Sequence, residues 1–184
     1  MAEGSQAARR LPLAAVHGGS ATVRLMPAQP AERISLRARA EDVPAFSRAL
    51  GLDLPVRPKT SVSASGRTAL WLGPDEWLVI GEVGTGLMRA AQESDVLHSA
   101  VDVSHRNTAI LVEGPGAAAA INAGCPQDLS LKAFPGGACT RTIFGKVEIV
   151  LLRTGEESFR VEVWRSFSDY AFALLAEGAR DAAI

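Results

Sequence analysis

Two stretches of this chain echo each other: LGLDLP at Leu50–Pro55 and AGCPQDL at Ala123–Leu129. Each closes a short helical pattern and leads through a loop to a hairpin and a second helix. In the first copy, Ile34, Leu36 and Ala38 alternate with Ser35, Arg37 and Arg39, the period of two of a half-buried strand. Asp42 and Pro44 suit a helix start, Phe46, Ala49 and Leu50 share one helical face, and Gly51 ends it. The Pro- and Ser-rich run 55–66 reads as a loop. Ala69–Leu72 and Trp77–Ile80 flank Gly73-Pro74-Asp75 as a hairpin, and Thr85–Ser94 reads as a short helix.

The second copy opens with Ser99–Gly114, one long strand or two joined at a bend. Gly114-Pro115 introduces an Ala-rich helix over 116–123, which Gly124 stops. A second hairpin turns at Thr154-Gly155-Glu156, with Phe159, Val161 and Val163 on one face and Arg160 and Glu162 on the other. Ser166 and Asp169 have the spacing of a capping box before a last helix through Tyr170, Phe172, Leu174 and Leu175. Matching order in both halves implies an internal duplication of β-α-β-β-α units. The fold class is α+β, with helices laid on mostly antiparallel sheet. Residues 1–30 read as a flexible N-terminal arm, and 31–184 as a single domain of two pseudo-repeats, about 31–98 and 99–184.

Charge and hydropathy narrow the function classes. With 19 Lys+Arg against 20 Asp+Glu and only 5% aromatic residues, nothing favours nucleic acid as a partner. No apolar run approaches the roughly 20 residues that cross a bilayer, so no membrane partner is expected. Two cysteines in 184 residues do not make a secreted disulfide framework, and the expected location is cytoplasmic.

Candidate chemistry is sparse. Cys125 and Cys139 have no CxxC spacing and no nearby His pair, so they read as small buried hydrophobes. Asp102, Ser104 and His105 tempt a triad assignment, but neighbours on a strand point to opposite faces. Asp102 and Ser104 are expected to satisfy backbone groups at a bend, leaving His105 and Arg106 to face a partner or ligand. The Gly-rich stretch near Gly81 lacks P-loop spacing, and Gly114–Ala120 is read as a helix cap. The segment Phe159–Tyr170 mixes Arg with aromatics, the composition of interface anchors, and Trp71 and Trp77 raise the same possibility.

The strings WLGPDEWLVI, VDVSHR, GCPQDL, FPGGACTRT, GKVEIVL and FRVEVWRSFSDY together resemble the gamma subunit of heterotetrameric sarcosine oxidase, in order and spacing, over roughly 69–179. The resemblance implies a complex that demethylates sarcosine oxidatively to glycine and hydrogen peroxide. The one-carbon unit passes to tetrahydrofolate or leaves as formaldehyde. It further implies alpha, beta and delta subunits as partners, with FAD, FMN, NAD and zinc on those subunits and no cofactor on this one. The implied fold is similar to the folate-binding domain of aminomethyltransferases. The expected role is noncatalytic assembly, with Trp71, Trp77, His105, Arg106, Arg141, Trp164, Arg165 and Phe167 as contact or supporting residues. The alternative is a folate-binding one-carbon module with its own ligand, using an acid such as Asp102 or Glu162.

Overall fold

The computed structural model describes residues 11–14 and 16–183. After a two-residue strand β1 (Gly18–Gly19) come β2 (Arg24–Pro27), β3 (Ala31–Ala38), α1 (Val43–Leu50), β4 (Ser61–Ala64), β5 (Arg67–Gly73), β6 (Glu76–Glu82) and α2 (Leu87–Gln92). The series then restarts with β7 (His98–Asp102), β8 (Asn107–Glu113), α3 (Ala117–Asn122), β9 (Cys139–Phe144), β10 (Val147–Gly155), β11 (Ser158–Trp164) and α4 (Ser168–Asp181). The class is α+β and every strand pairing is antiparallel.

One sheet runs β4-β5-β6-β3-β7 and the other β9-β10-β11-β8-β2-β1. Matched position by position, β2 is to β8 what β7 is to β3. The repeating unit is therefore β-β-α-β-β-β-α, and each unit sends its first strand into the sheet of the other. The register agrees: Pro27 lies opposite Ile110 and Asp102 opposite Ile34. The first repeat thus begins at β2, inside the stretch that sequence assigns to a flexible arm. Fully buried Leu25 anchors that strand, and pairing with β8 satisfies its backbone. Of the expected arm, residues 1–10 lie outside the described residues. Of the two expectations for 99–114, the structure has the second: two strands parted by the turn at 103–106, each in a different sheet.

Three apolar clusters hold the layers. Phe46, Leu50, Trp77 and Leu87 lie under α1 and α2, while Ile121, Phe134, Phe144, Phe159 and Leu175 lie under α3 and α4. Leu70, Leu78, Ile80, Val103, Cys139, Val150 and Leu152 fill the space between the sheets. Each such side chain contributes roughly 1.5–3 kcal/mol on full burial. Gly51, at φ 60, ends α1 as its sequence position predicts. A Cβ on Gly178 would lie 2.4 Å from the Ala120 carbonyl oxygen, so glycine is what lets α3 and α4 touch. Two expected caps are not made. Neither Asp42 before α1 nor any side chain before α4 caps its helix, because a turn of 3-10 helix precedes each, at Ala40–Asp42 and Arg165–Phe167.

Candidate functional site

The loop from Gly124 to Thr142 is a connection in the scaffold. Cys125 takes the place of Leu52, and both are buried in the core of their own repeat. Cys139 lies between the sheets, where its thiol faces the carbonyl oxygens of Thr60 (3.2 Å) and Trp71 (3.5 Å). Burial pushes that thiol up to about 11, far from nucleophile range at neutral pH. Both cysteines are free thiols. Among the described residues no group of three or more His, Cys, Asp or Glu could hold a metal ion.

The centre of the molecule is tied by charge. Arg33 of β3 reaches across the sheets to Glu162 of β11, with Nε and Nη2 at 2.7 and 3.2 Å from its two carboxylate oxygens. Side-chain exposure is 3% and 1%, so the pair is dry. Arg160 adds a third contact to Glu162 at 2.8 Å. Alternation placed Arg160 and Glu162 on the face opposite Phe159, and they are there, but that face meets the other sheet. Glu162 is thus engaged within the fold. Asp102 accepts the Ser104 amide at 2.8 Å, and the Ser104 hydroxyl accepts the Arg33 amide at 2.9 Å. These two residues shape the bend, as expected, and form no triad.

Beside the bend lies a cavity of about 620 Å³. Its walls include the two links that carry each repeat from its first strand to its second, 27–31 and 102–107. Asp102, His105 and Arg165 line it, together with Leu13, Val16 and Pro27.

The expected contact residues divide into groups. Trp77 is core: its indole N–H donates to the Pro55 carbonyl at 2.7 Å, and its ring is buried under α1 and α2. It can support a surface but not touch a partner. Trp71 is half-buried against the same cluster. Arg141 is bound to Glu76 of the opposite sheet, and that pairing raises its guanidinium above the ordinary value. The other five gather where β11 ends. Trp164 and Phe167 stack at 6.1 Å, 40% and 41% exposed. The Arg106 guanidinium sits 5.0 Å over the Trp164 ring, and the Arg165 amide donates to the Arg106 carbonyl at 2.7 Å. His105 and Arg165 line the neighbouring cavity. Tyr170, equally exposed, extends the aromatic surface; sequence places it in the interface-like segment Phe159–Tyr170 but not among the eight contact residues. Its place one helical turn after Phe167 was the signal that would have added it.

Residues 37–181 match the sequence model of the Sarcosine oxidase, gamma subunit family. The chain belongs to this family. It is 31% identical to the sarcosine oxidase subunit gamma of Corynebacterium sp. (strain U-96) over 68% of its own length, and 33% identical to that of Arthrobacter sp. over 64%. These matches span 63% and 59% of the two relatives, less than two thirds of their length. A chain of the heterotetrameric sarcosine oxidase from Corynebacterium sp. U-96 superposes with a TM-score of 0.84 at 26% identity, covering 91% of this chain and 89% of that one. The glycine cleavage system aminomethyltransferase T of Bartonella henselae shares the fold, with a TM-score of 0.61 at 17% identity over 88% of this chain and 50% of that one. Among the described residues no helix is long and apolar enough to cross a membrane.

Proposed function

We propose that this chain is the noncatalytic gamma subunit of a heterotetrameric sarcosine oxidase. In this reading it packs against the subunits that carry FAD, FMN, NAD and zinc while they demethylate sarcosine and hand on the one-carbon unit. The observation that carries the reading comes from the repeat itself. Glu82 follows Trp77 as Trp164 follows Phe159, and Thr85 stands where Phe167 does. The first repeat therefore folds with Glu and Thr where the second exposes a stacked Trp and Phe. The fold does not need that aromatic pair, and Arg over exposed aromatics is interface chemistry.

The test is co-expression of the tagged chain with alpha, beta and delta subunits. The expected product is a flavin-bearing complex that oxidises sarcosine, beside a lone chain that is colourless and inert. Replacing both Trp164 and Phe167 by Ala should leave the melting temperature of the lone chain nearly unchanged. It should weaken capture of the other subunits by about 30-fold or more, the scale of one strong interface anchor. A chain that stays monomeric beside those subunits would overturn the reading.

A second reading, folate binding by the chain alone, is favoured by the cavity with Asp102 on its wall. Saturable binding of a reduced folate by the isolated chain, lost in Asp102→Asn, would establish it.

A further inference from the structure

The mouth of the 620 Å³ cavity carries apolar side chains that the fold leaves in water. Leu11, Val16 and Val83 line it, and they are 51%, 37% and 71% exposed. Arg165 lines the same cavity and stands between Trp164 and Phe167 in the chain. The link 105–107 joins the two regions a second time: His105 and Asn107 line the cavity, and Arg106 covers the Trp164 ring. The apolar rim and the stacked aromatic pair therefore share one face. Large apolar side chains exposed singly are ordinary, but a group of them around a concavity marks a surface that another molecule covers.

The charge on this face says what the other molecule brings. Arg106 is exposed, and among the described residues its guanidinium meets the Trp164 ring and the Asn107 side-chain oxygen, at 3.3 Å from Nε. Arg33, Arg37 and Arg141 each hold a carboxylate, whereas Arg106 holds none among the described residues. Thr108 opposite Val163 is equivalent to Glu32 opposite Gly81, so Pro30 holds the place of Arg106 in the first repeat and Glu82 that of Trp164. The fold is thus built once without this guanidinium and without the ring beneath it. A guanidinium held over an indole, with no counter-ion of its own, is complementary to a carboxylate delivered beside apolar side chains.

We propose that this face docks another subunit of the oxidase through an apolar surface edged by a carboxylate, and that the docked subunit closes the cavity. The carboxylate pairs with Arg106, while apolar side chains cover Leu11, Val16, Val83, Trp164 and Phe167. The proposal deepens the assembly reading and rests on it. Its consequence is that the cavity becomes an internal space at a subunit boundary. A ligand that enters the lone chain from solvent is then shut out of the complex.

The experiment is maleimide labelling of the full chain carrying Val83→Cys, alone and co-purified with the alpha, beta and delta subunits. Cys125 and Cys139 are both buried, so labelling reports the introduced thiol. The lone chain should be labelled readily, and the complex should lose that labelling. Arg106→Glu should weaken capture of the other subunits by about 30-fold or more, and Arg106→Lys, which keeps the charge, should weaken it less. A complex whose Val83→Cys thiol is labelled as fast as in the lone chain sinks the proposal while leaving assembly intact. So does capture by Arg106→Glu equal to that of the unaltered chain. Protection of the thiol in the lone chain overturns the proposal in favour of a face that the chain covers itself. If no complex forms, the proposal falls together with the assembly reading.

Discussion

Where the first repeat sets Trp71 against Trp77, the second sets Arg153 against Phe159, at a bulge placed identically in each hairpin. Both pairs do the same work. Trp77 holds the Pro55 carbonyl through its indole N–H, and Arg153 holds the Leu129 and Glu156 carbonyls through its guanidinium. Pro55 and Leu129 lie in the two echoing loops, so each hairpin clamps the loop that follows the first helix of its own repeat. The Arg153 guanidinium lies 4.3 Å over the Phe159 ring, and burial pulls it below its ordinary value, against the charge of Glu156. The comparison shows that duplication conserved the geometry of the clamp and not its chemistry. The inner faces differ in the same way: Leu78 and Ile80 in β6 stand where β11 has Arg160 and Glu162.

The largest effect should come from breaking that second difference. Glu162→Ala leaves Arg33 buried without its carboxylate and should cost about 3–5 kcal/mol in urea unfolding. Replacing Arg33, Arg160 and Glu162 together by Met should recover most of that loss, because no guanidinium is then left without its carboxylate and the inner face resembles that of the first repeat. No recovery in the triple variant would mean that the charge cluster is more than a tie between sheets. The clamps come next. Trp77→Phe and Arg153→Met each strand one or two buried carbonyls and should cost about 1–3 kcal/mol. Equal costs by thermal or urea melts would establish their equivalence, while a several-fold disparity would show that one loop needs no clamp.

Two smaller effects appear as pH dependence. The Cys139 thiol is raised in the folded chain, so the unfolded chain ionises first. Its contribution is complete below pH 9.0 and declines as pH climbs towards about 11. Cys139→Val should flatten stability against pH in that window. Glu32 shifts the opposite way: its folded value lies below the ordinary 4.5. Its contribution is present above pH 4.5 and is lost as pH falls through the folded value. At the start of α2, Glu32 accepts the Gly84 and Leu87 amides and the Thr85 hydroxyl, which together outweigh the effect of burial. Glu32→Gln should remove that acid-side loss, and an unchanged acid limb would argue that the start of α2 is held by backbone alone.

Much of this was legible in sequence where the signal is local. Gly73-Pro74-Asp75 and the alternation of β11 gave the hairpins, and Asp53-Leu54 against Asp128-Leu129 gave the repeat. The exchange of first strands was not legible. β2 offers four residues with one fully buried side chain, and its partner β8 lies more than eighty positions away. Alternation could not tell which polar face meets water, so Arg33 and Glu162 carried no sign that they pair. Of the candidate site, Trp164, Phe167 and Arg106 were found through their aromatic and cationic types. Trp77 was grouped with them because residue type alone does not separate a core indole from an exposed one.

The exchange of β2 and β7 makes neither repeat a folding unit of its own. A half-chain carrying one copy would have its own first strand detached and a sheet edge left open. Its natural remedy is a second half-chain offering the same strand in return. The monomer is in this sense a domain-swapped dimer written on one polypeptide, its two protomers joined between α2 and β7.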